Sequence, residues 1–254
     1  MSSNIWTPDA LSSSARAMEG RCWRAVEAQH YVSTAKLTDT NAEQQRLEDL
    51  IEASKPTVPE DCRRLNFVLS TPFRYGSVYP YGSRFRRAGL TLGVFYAAEL
   101  PTTAVAELAF YRLLFFAESP DTPWPANPGE YTAFAAEYKT SRAIDLQSEP
   151  FQQHRAMWTH PTDYSNCQAL ADAARAQQIE VIKYESARAV DASNFALLYC
   201  RVFAKPEEVA RQTWRIHLSS FGARTFCEWP KISFDFGRAA FDRDPRISAI
   251  KWDR

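Results

Sequence analysis

The chain has 254 residues, 30 Lys+Arg against 30 Asp+Glu, a formal charge of zero, and 45% hydrophobic residues. These values exclude disordered and fibrous classes, argue against non-specific nucleic-acid binding, and allow roughly 70–75% of the extended surface to be buried. The longest apolar run, Leu108 to Ala117, is broken by Arg112 and falls short of the ~18–20 residues a membrane span needs. The N-terminus, MSSNIWTPDA, lacks a basic and an apolar region, so a cytoplasmic protein is expected.

In chain order, residues 1–20 are polar and aperiodic and read as frayed or late-docking. RCWRAV, around Cys22 to Val26, reads as a short strand. Asn41 is placed to cap a helix running to about Ser54, which Pro56 stops. Leu65 to Leu69 alternates as a strand, and Ser70 to Gly89 reads as a loop containing Pro72, Gly76, Pro80 and Gly82. Leu92 to Ala97 is a buried-strand pattern; Pro101, Thr102 and Thr103 start a helix through about Phe116.

A turn-rich connector, Asp121 to Gly129, precedes a strand from Tyr131 to Thr140. An Ala-rich helix from Cys167 to Gln178 leads into a strand over Ile179 to Tyr184. Phe195 to Phe203 reads as a strand, Pro206 as the start of a short helix, and Thr213 to Leu218 as a strand. Strands outnumber helices without strict alternation, which predicts an α+β fold rather than a doubly wound sheet. No linker divides the chain. Residues 1–60 are read as an N-terminal helical extension of one unit whose main domain is 61–254.

Several chemistries are missing. There is no CxxC, HExxH, GxGxxG or GxxxxGK[ST]. His30, His154, His160 and His217 form no recognisable ligand set, and no metal is expected. Cys22, Cys62, Cys167, Cys200 and Cys227 are odd in number and widely spaced, which suits reduced thiols.

One segment departs from the average. Cys62 to Ala98 holds Arg63, Arg64, Arg74, Arg84, Arg86 and Arg87 but no Asp, Glu or Lys. It also holds Phe67, Phe73, Tyr75, Tyr79, Tyr81, Phe85, Phe95 and Tyr96. Arginine without local carboxylates suits phosphate, and aromatic rings offer stacking faces, so the segment reads as a nucleotide pocket. The plain alternative is distant ion pairing and core packing; an RNA-binding surface has the same composition. Glu107 follows in the first turns of an apolar helix, where it either complements the helix dipole or faces a cleft.

The string GSRFRRAGLTLGVFYAAELPTTAVAELAFYR resembles the RES family, named for Arg, Glu and Ser. Gly82, Arg84 and Phe85 match its loop, then Gly89, Phe95-Tyr96-Ala97, and Thr103-Ala104 with Glu107. IEVIKYESAR supplies Tyr184, Ser186 and Arg188, and RCWRAV supplies Arg24, so the resemblance spans roughly residues 20–205. Phe85-Arg86 departs from the Trp-Asn of many members, and LNFVLSTPFRYG suggests a longer subclass.

The resemblance implies an ADP-ribosyltransferase-like split β-sandwich with surrounding helices. It also implies a bacterial toxin that consumes NAD+ by hydrolysis or phosphorolysis, neutralised by an Xre-like helix-turn-helix antitoxin. NAD+ is then substrate rather than cofactor, inorganic phosphate is one acceptor, and nucleic acid is met only through the antitoxin. In that setting Arg84, with Arg24 as second candidate, binds the phosphates, and Tyr96 stacks on nicotinamide or holds the ribose. Glu107 stabilises positive charge at the ribose, and Ser186 hydrogen-bonds the ribose or the amide without acting as nucleophile. Arg86, Arg87 and Arg188 bind substrate or antitoxin. The plain alternatives are a turn cap for Ser186, a core place for Tyr96 and a dipole role for Glu107. Other functions carried forward are mono-ADP-ribosylation of a protein and a non-catalytic Arg/aromatic binding module.

Overall fold

The segment EYTAFAAEYKTSRAID, with a fully buried centre at Ala133 to Ala136, makes one strand long enough to organise the rest. The computed structural model describes residues 6–28, 34–74, 82–89 and 91–254. Its elements in chain order are α1 (Pro8–Ser13), β1 (Arg16–Glu27), α2 (Asn41–Ser54), α3 (Phe67–Arg74), β2 (Phe95–Ala98), α4 (Pro101–Glu118), β3 (Gly129–Asp145), α5 (Arg155–Trp158), α6 (Ser165–Ala176), β4 (Val181–Glu185), β5 (Ser193–Leu197), β6 (Ala210–Ser219), β7 (Gly222–Cys227), β8 (Ile232–Gly237) and α7 (Pro245–Ser248). The fold is α+β, as expected.

The strands form one eight-stranded sheet in the order β1-β2-β5-β4-β3-β6-β7-β8. β1 also pairs antiparallel along β3, from Arg16↔Ala143 to Glu27↔Tyr131. That second pairing closes β1, β2, β5, β4 and β3 into a ring. β3 and β4 are parallel, and the α5–α6 crossover supplies the connection such a pair requires.

Side-chain alternation on the ring strands sorts the core. Cys22, Phe95, Phe134, Tyr138, Val181 and Leu197 meet in one cluster, closed by Leu69 of α3. On the opposite face of β4 and β5, Ile182, Tyr184 and Ala196 pack with Leu170 of α6 and Trp158. A third cluster joins Phe110 and Leu113 of α4 to Tyr131, Trp214 and Ile216, and to Ile247 of α7. α4 is apolar on most sides because it lies between the sheet and the C-terminal segment. Pro101 opens it at a position where a missing N–H is harmless.

Several elements differ from the expectation. The residues read as frayed contain α1 and the start of β1, held by Leu11 in the core and by β3. Thr40, not Asn41, caps α2, through a capping box with Glu43. The expected strand at Leu65 to Leu69 is the start of α3, which continues through Pro72. The strand expected to reach Phe203 ends at Leu197, and Cys200–Val202 forms a 3-10 turn. Pro206 begins no helix; the chain bends there instead. His30, Gly76, Pro80, Tyr75, Tyr79 and Tyr81 lie outside the described residues.

Cys62 and Cys200 form a disulfide with Cα atoms 5.4 Å apart, joining the α3 region to the end of β5. That corrects the expectation of five thiols; Cys22, Cys167 and Cys227 are free and buried. Peptide mapping without reductant should recover one Cys62–Cys200 cross-link and three free thiols; five free thiols would contradict the pairing.

Candidate functional site

One end of the β2–β5–β4 strip carries polar residues where a core residue would otherwise sit. Asn194 pairs with Ala98 on one side and Tyr184 on the other, so these three share a row across the sheet. α4 crosses above that row and presents Glu107. The space between is a cavity of about 1130 Å³, lined by Arg24, Arg84, Arg86, Tyr96, Glu107, Tyr164, Tyr184, Arg188, Asn194 and Arg246 among others. This is slightly above the usual ligand-pocket range of about 300–1,000 Å³.

Glu107 is fixed by two donors. Ser186 Oγ and Asn194 Nδ2 each donate to Glu107 Oε1 at 2.7 Å. Oε2 accepts no hydrogen bond from the described residues. Ser186 sits in the β4–β5 connection, where its oxygen accepts from the N–H groups of Arg188 and Ala189, both at 3.1 Å. Its proton and both lone pairs are thereby used. Ser186 thus caps the turn and holds Glu107, with no hydrogen-bonding capacity left for the ribose or the amide.

Asn194 is the residue the sequence reading did not assign. It is 3% exposed, and its Oδ1 has no hydrogen-bond partner. Its orientation is forced, because a carboxylate only accepts and the amide must turn its NH2 toward it. A buried orphan acceptor costs about 1–3 kcal/mol. Asn194 thus holds Glu107 at some expense in stability.

The arginine-bearing loop is equally constrained. Ser83 and Arg86 close a tight turn with Arg84 and Phe85 at its tip. Gly82 enters it at φ +65°, and a Cβ there would lie 2.4 Å from the Arg86 carbonyl oxygen, so only glycine fits. Tyr96 hydroxyl bonds Ser83 Oγ at 2.8 Å and accepts from the Phe85 N–H at 2.9 Å. Burial pushes the Tyr96 phenol up, so it stays protonated at neutral pH. Tyr96 thus lines the cavity while anchoring the loop.

Arg84 is 9% exposed and donates to the carbonyls of Trp158 (2.5 Å) and His160 (3.0 Å). Its guanidinium lies 4.8 Å from the centre of the Tyr164 ring, and it makes no ion pair among the described residues. Arg24 donates to the Tyr96 carbonyl at 2.8 Å and lies over Phe95. Burial pushes the Arg24 guanidinium down from its ordinary value.

The acid-free segment does not form one basic surface. Arg84 and Arg86 line the cavity. Arg87 pairs with Asp172 outside it, Arg74 with Glu52, and Arg64 bonds the Phe203 carbonyl. The cavity also recruits Arg188 and, from the C-terminal segment, Arg246. Both bond Asp244, which is 1% exposed. Burial pushes the Asp244 carboxyl up, but hydrogen bonds from Arg246 and the charge of Arg188 outweigh it and hold it below the ordinary range.

A model of the RES domain family matches residues 58–219. No curated protein matches the chain. Among solved structures, the chain is similar to one in the M. tuberculosis MbcT–MbcA toxin–antitoxin complex, at 13% identity and a TM-score of 0.44, covering 78% of this chain and 90% of that one.

Asp244→Asn should lower stability by about 3 kcal/mol, the low end for a broken buried pair, because it leaves the buried Arg188 guanidinium without its carboxylate while Arg246 keeps partial access to water. The native contribution is present at neutral pH and is lost as pH falls through the lowered Asp244 pKa. Denaturant unfolding of both proteins tests this; equal midpoints at neutral pH would contradict it.

Proposed function

The chain belongs to the RES domain family, and from that premise we propose that it is a toxin that depletes NAD+. In this reading it breaks the nicotinamide N-glycosidic bond, with water or inorganic phosphate as acceptor, and is neutralised by an Xre-like helix-turn-helix antitoxin. The observation that carries the reading is that Arg84 and Glu107 line the same cavity; among the described residues, one is a buried cation without an ion-pair partner and the other a carboxylate with one oxygen uncommitted.

Departure of nicotinamide leaves oxocarbenium character on the ribose, and a fixed negative charge beside it lowers the barrier. Glu107 supplies that charge. With Oε1 held by Ser186 and Asn194, Oε2 is the oxygen available to the ribose or to the incoming acceptor. Arg84, with Arg24, binds the phosphates. The Tyr96 ring supplies the apolar wall for nicotinamide. Ser186 acts through Glu107 rather than on the ligand, because its hydrogen-bonding capacity is filled. The departing group needs no protonation at its ring nitrogen, since that nitrogen is already cationic in NAD+ and leaves neutral.

The ADP-ribosyltransferase-like sandwich implied by the family belongs to the same reading. It is supported by the doubling back of β1 onto β3, which brings strands from both halves of one sheet around a common core. Exposed Tyr111, which lines the cavity, and exposed Phe115 further along α4 support a protein partner on that helix. No helix among the described residues is long and apolar enough to cross a membrane.

Purified protein freed of any antitoxin should consume NAD+ and release nicotinamide, with ADP-ribose as product in phosphate-free buffer or its phosphate ester when phosphate is the acceptor. Glu107→Gln should slow this on the order of 10²–10³-fold while leaving the fold intact. NAD+ loss at the wild-type rate by folded Glu107→Gln protein would overturn the role. Label transferred to protein would point to ADP-ribosylation instead.

Asn194→Ala should lower kcat more than it raises KM and should not lower the melting temperature, since it removes the orphan acceptor together with the carboxylate contact. A variant with unchanged kcat would remove Asn194 from the account.

A further inference from the structure

The C-terminal segment completes a wall of three guanidiniums around the loop from Trp158 to Tyr164. Arg84 bonds the carbonyls of Trp158 and His160. Arg188 and Arg246 reach the Pro161 carbonyl at 3.3 and 3.4 Å. Both also gather over the Phe110 ring, at 3.8 and 5.7 Å from its centre. One carboxylate, Asp244, serves this wall: it takes a bidentate contact from Arg246 at 2.9 and 2.7 Å and a contact from Arg188 at 3.0 Å. The Arg188 and Asp244 side chains are 5% and 1% exposed, whereas Arg246 keeps 34% of its side chain open.

Three cations against Asp244, with Glu107 as a second carboxylate in the same cavity, still leave the wall positive in a partly enclosed space, where an unbalanced charge is costly. A ligand carrying two adjacent negative charges would offset it. The pairing with Asp244 fixes the guanidinium planes in advance, which suits the planar, multidentate recognition of phosphate oxygens. Arg246 and Asp244 also lie beyond the stretch 58–219 matched by the family model.

We propose that Arg246, preorganised with Arg188 on Asp244, binds the pyrophosphate of a nucleoside diphosphate, so that the C-terminal segment is part of the ligand site. This rests on the reading of the cavity as a nucleotide site, not on the bond that is broken there.

Calorimetry on the full chain with ADP-ribose and with inorganic pyrophosphate tests it. Wild type binds both, more weakly as salt is raised. Arg246→Gln weakens both by about tenfold or more, and Arg246→Lys recovers part of the loss. Wild-type affinity in folded Arg246→Gln protein would overturn the proposal, as would failure of the wild type to bind either probe.

Hydrogen exchange of residues 238–254 in the wild type gives a readout that does not depend on a variant folding. Protection on adding ADP-ribose is expected, and unchanged exchange would overturn the proposal. ADP-ribose binding that needs Arg246 without any NAD+ turnover would leave this inference standing while the toxin reading falls. NAD+ turnover with binding indifferent to Arg246 would do the reverse.

Discussion

The contact on which the site depends is the double hydrogen bond to one oxygen of Glu107. Ser186 comes from the connection after β4 and Asn194 from β5, while Glu107 comes from α4. The contact therefore ties a helix to a hairpin at the point where the sheet face changes from core to cavity. Tyr184, Asn194 and Ala98 lie in register across that face, so the cavity floor is set by strand pairing rather than by loop conformation. A site built on paired strands is more rigid than one built on loops alone.

Opposite the carboxylate, the positive groups are all held by the protein's own backbone or by one acid. Arg84 hangs on carbonyls, Arg24 on the carbonyl of Tyr96, and Arg188 with Arg246 on Asp244. Such tethering orders the guanidiniums before a ligand arrives, which lowers the entropy cost of binding. It also explains why Tyr96 matters twice. Its ring faces the cavity, while its hydroxyl fixes the tight turn that carries Arg84.

Much of this was legible in the sequence because it is local. Pro101 with the apolar run after it marks α4, and the glycines and prolines from Ser70 to Gly89 mark a loop, though not the tight turn at Ser83 to Arg86 within it. The order of Arg84, Tyr96, Glu107 and Ser186 along the chain identified the family. What was not legible depends on long-range meetings. The alternation at Leu65 to Leu69 fits a strand as well as a helix, and only packing of Leu69 under the ring decides for α3. Asp244 and Arg246 are ordinary surface-type residues until α7 docks on α4 and places them beside Arg188. The Cys62–Cys200 link joins residues far apart in the chain, and no spacing rule reveals it. Asn194 carries no signal of its own in the sequence, because its partner, Glu107, lies on a different element.

The most direct measurement is a crystal structure of the Glu107→Gln protein with NAD+ bound. The pyrophosphate is expected among Arg24, Arg84, Arg188 and Arg246, with the nicotinamide–ribose bond beside residue 107 and the nicotinamide against Tyr96. A dinucleotide bound elsewhere on the molecule, or reversed so that adenine lies beside residue 107, would contradict it.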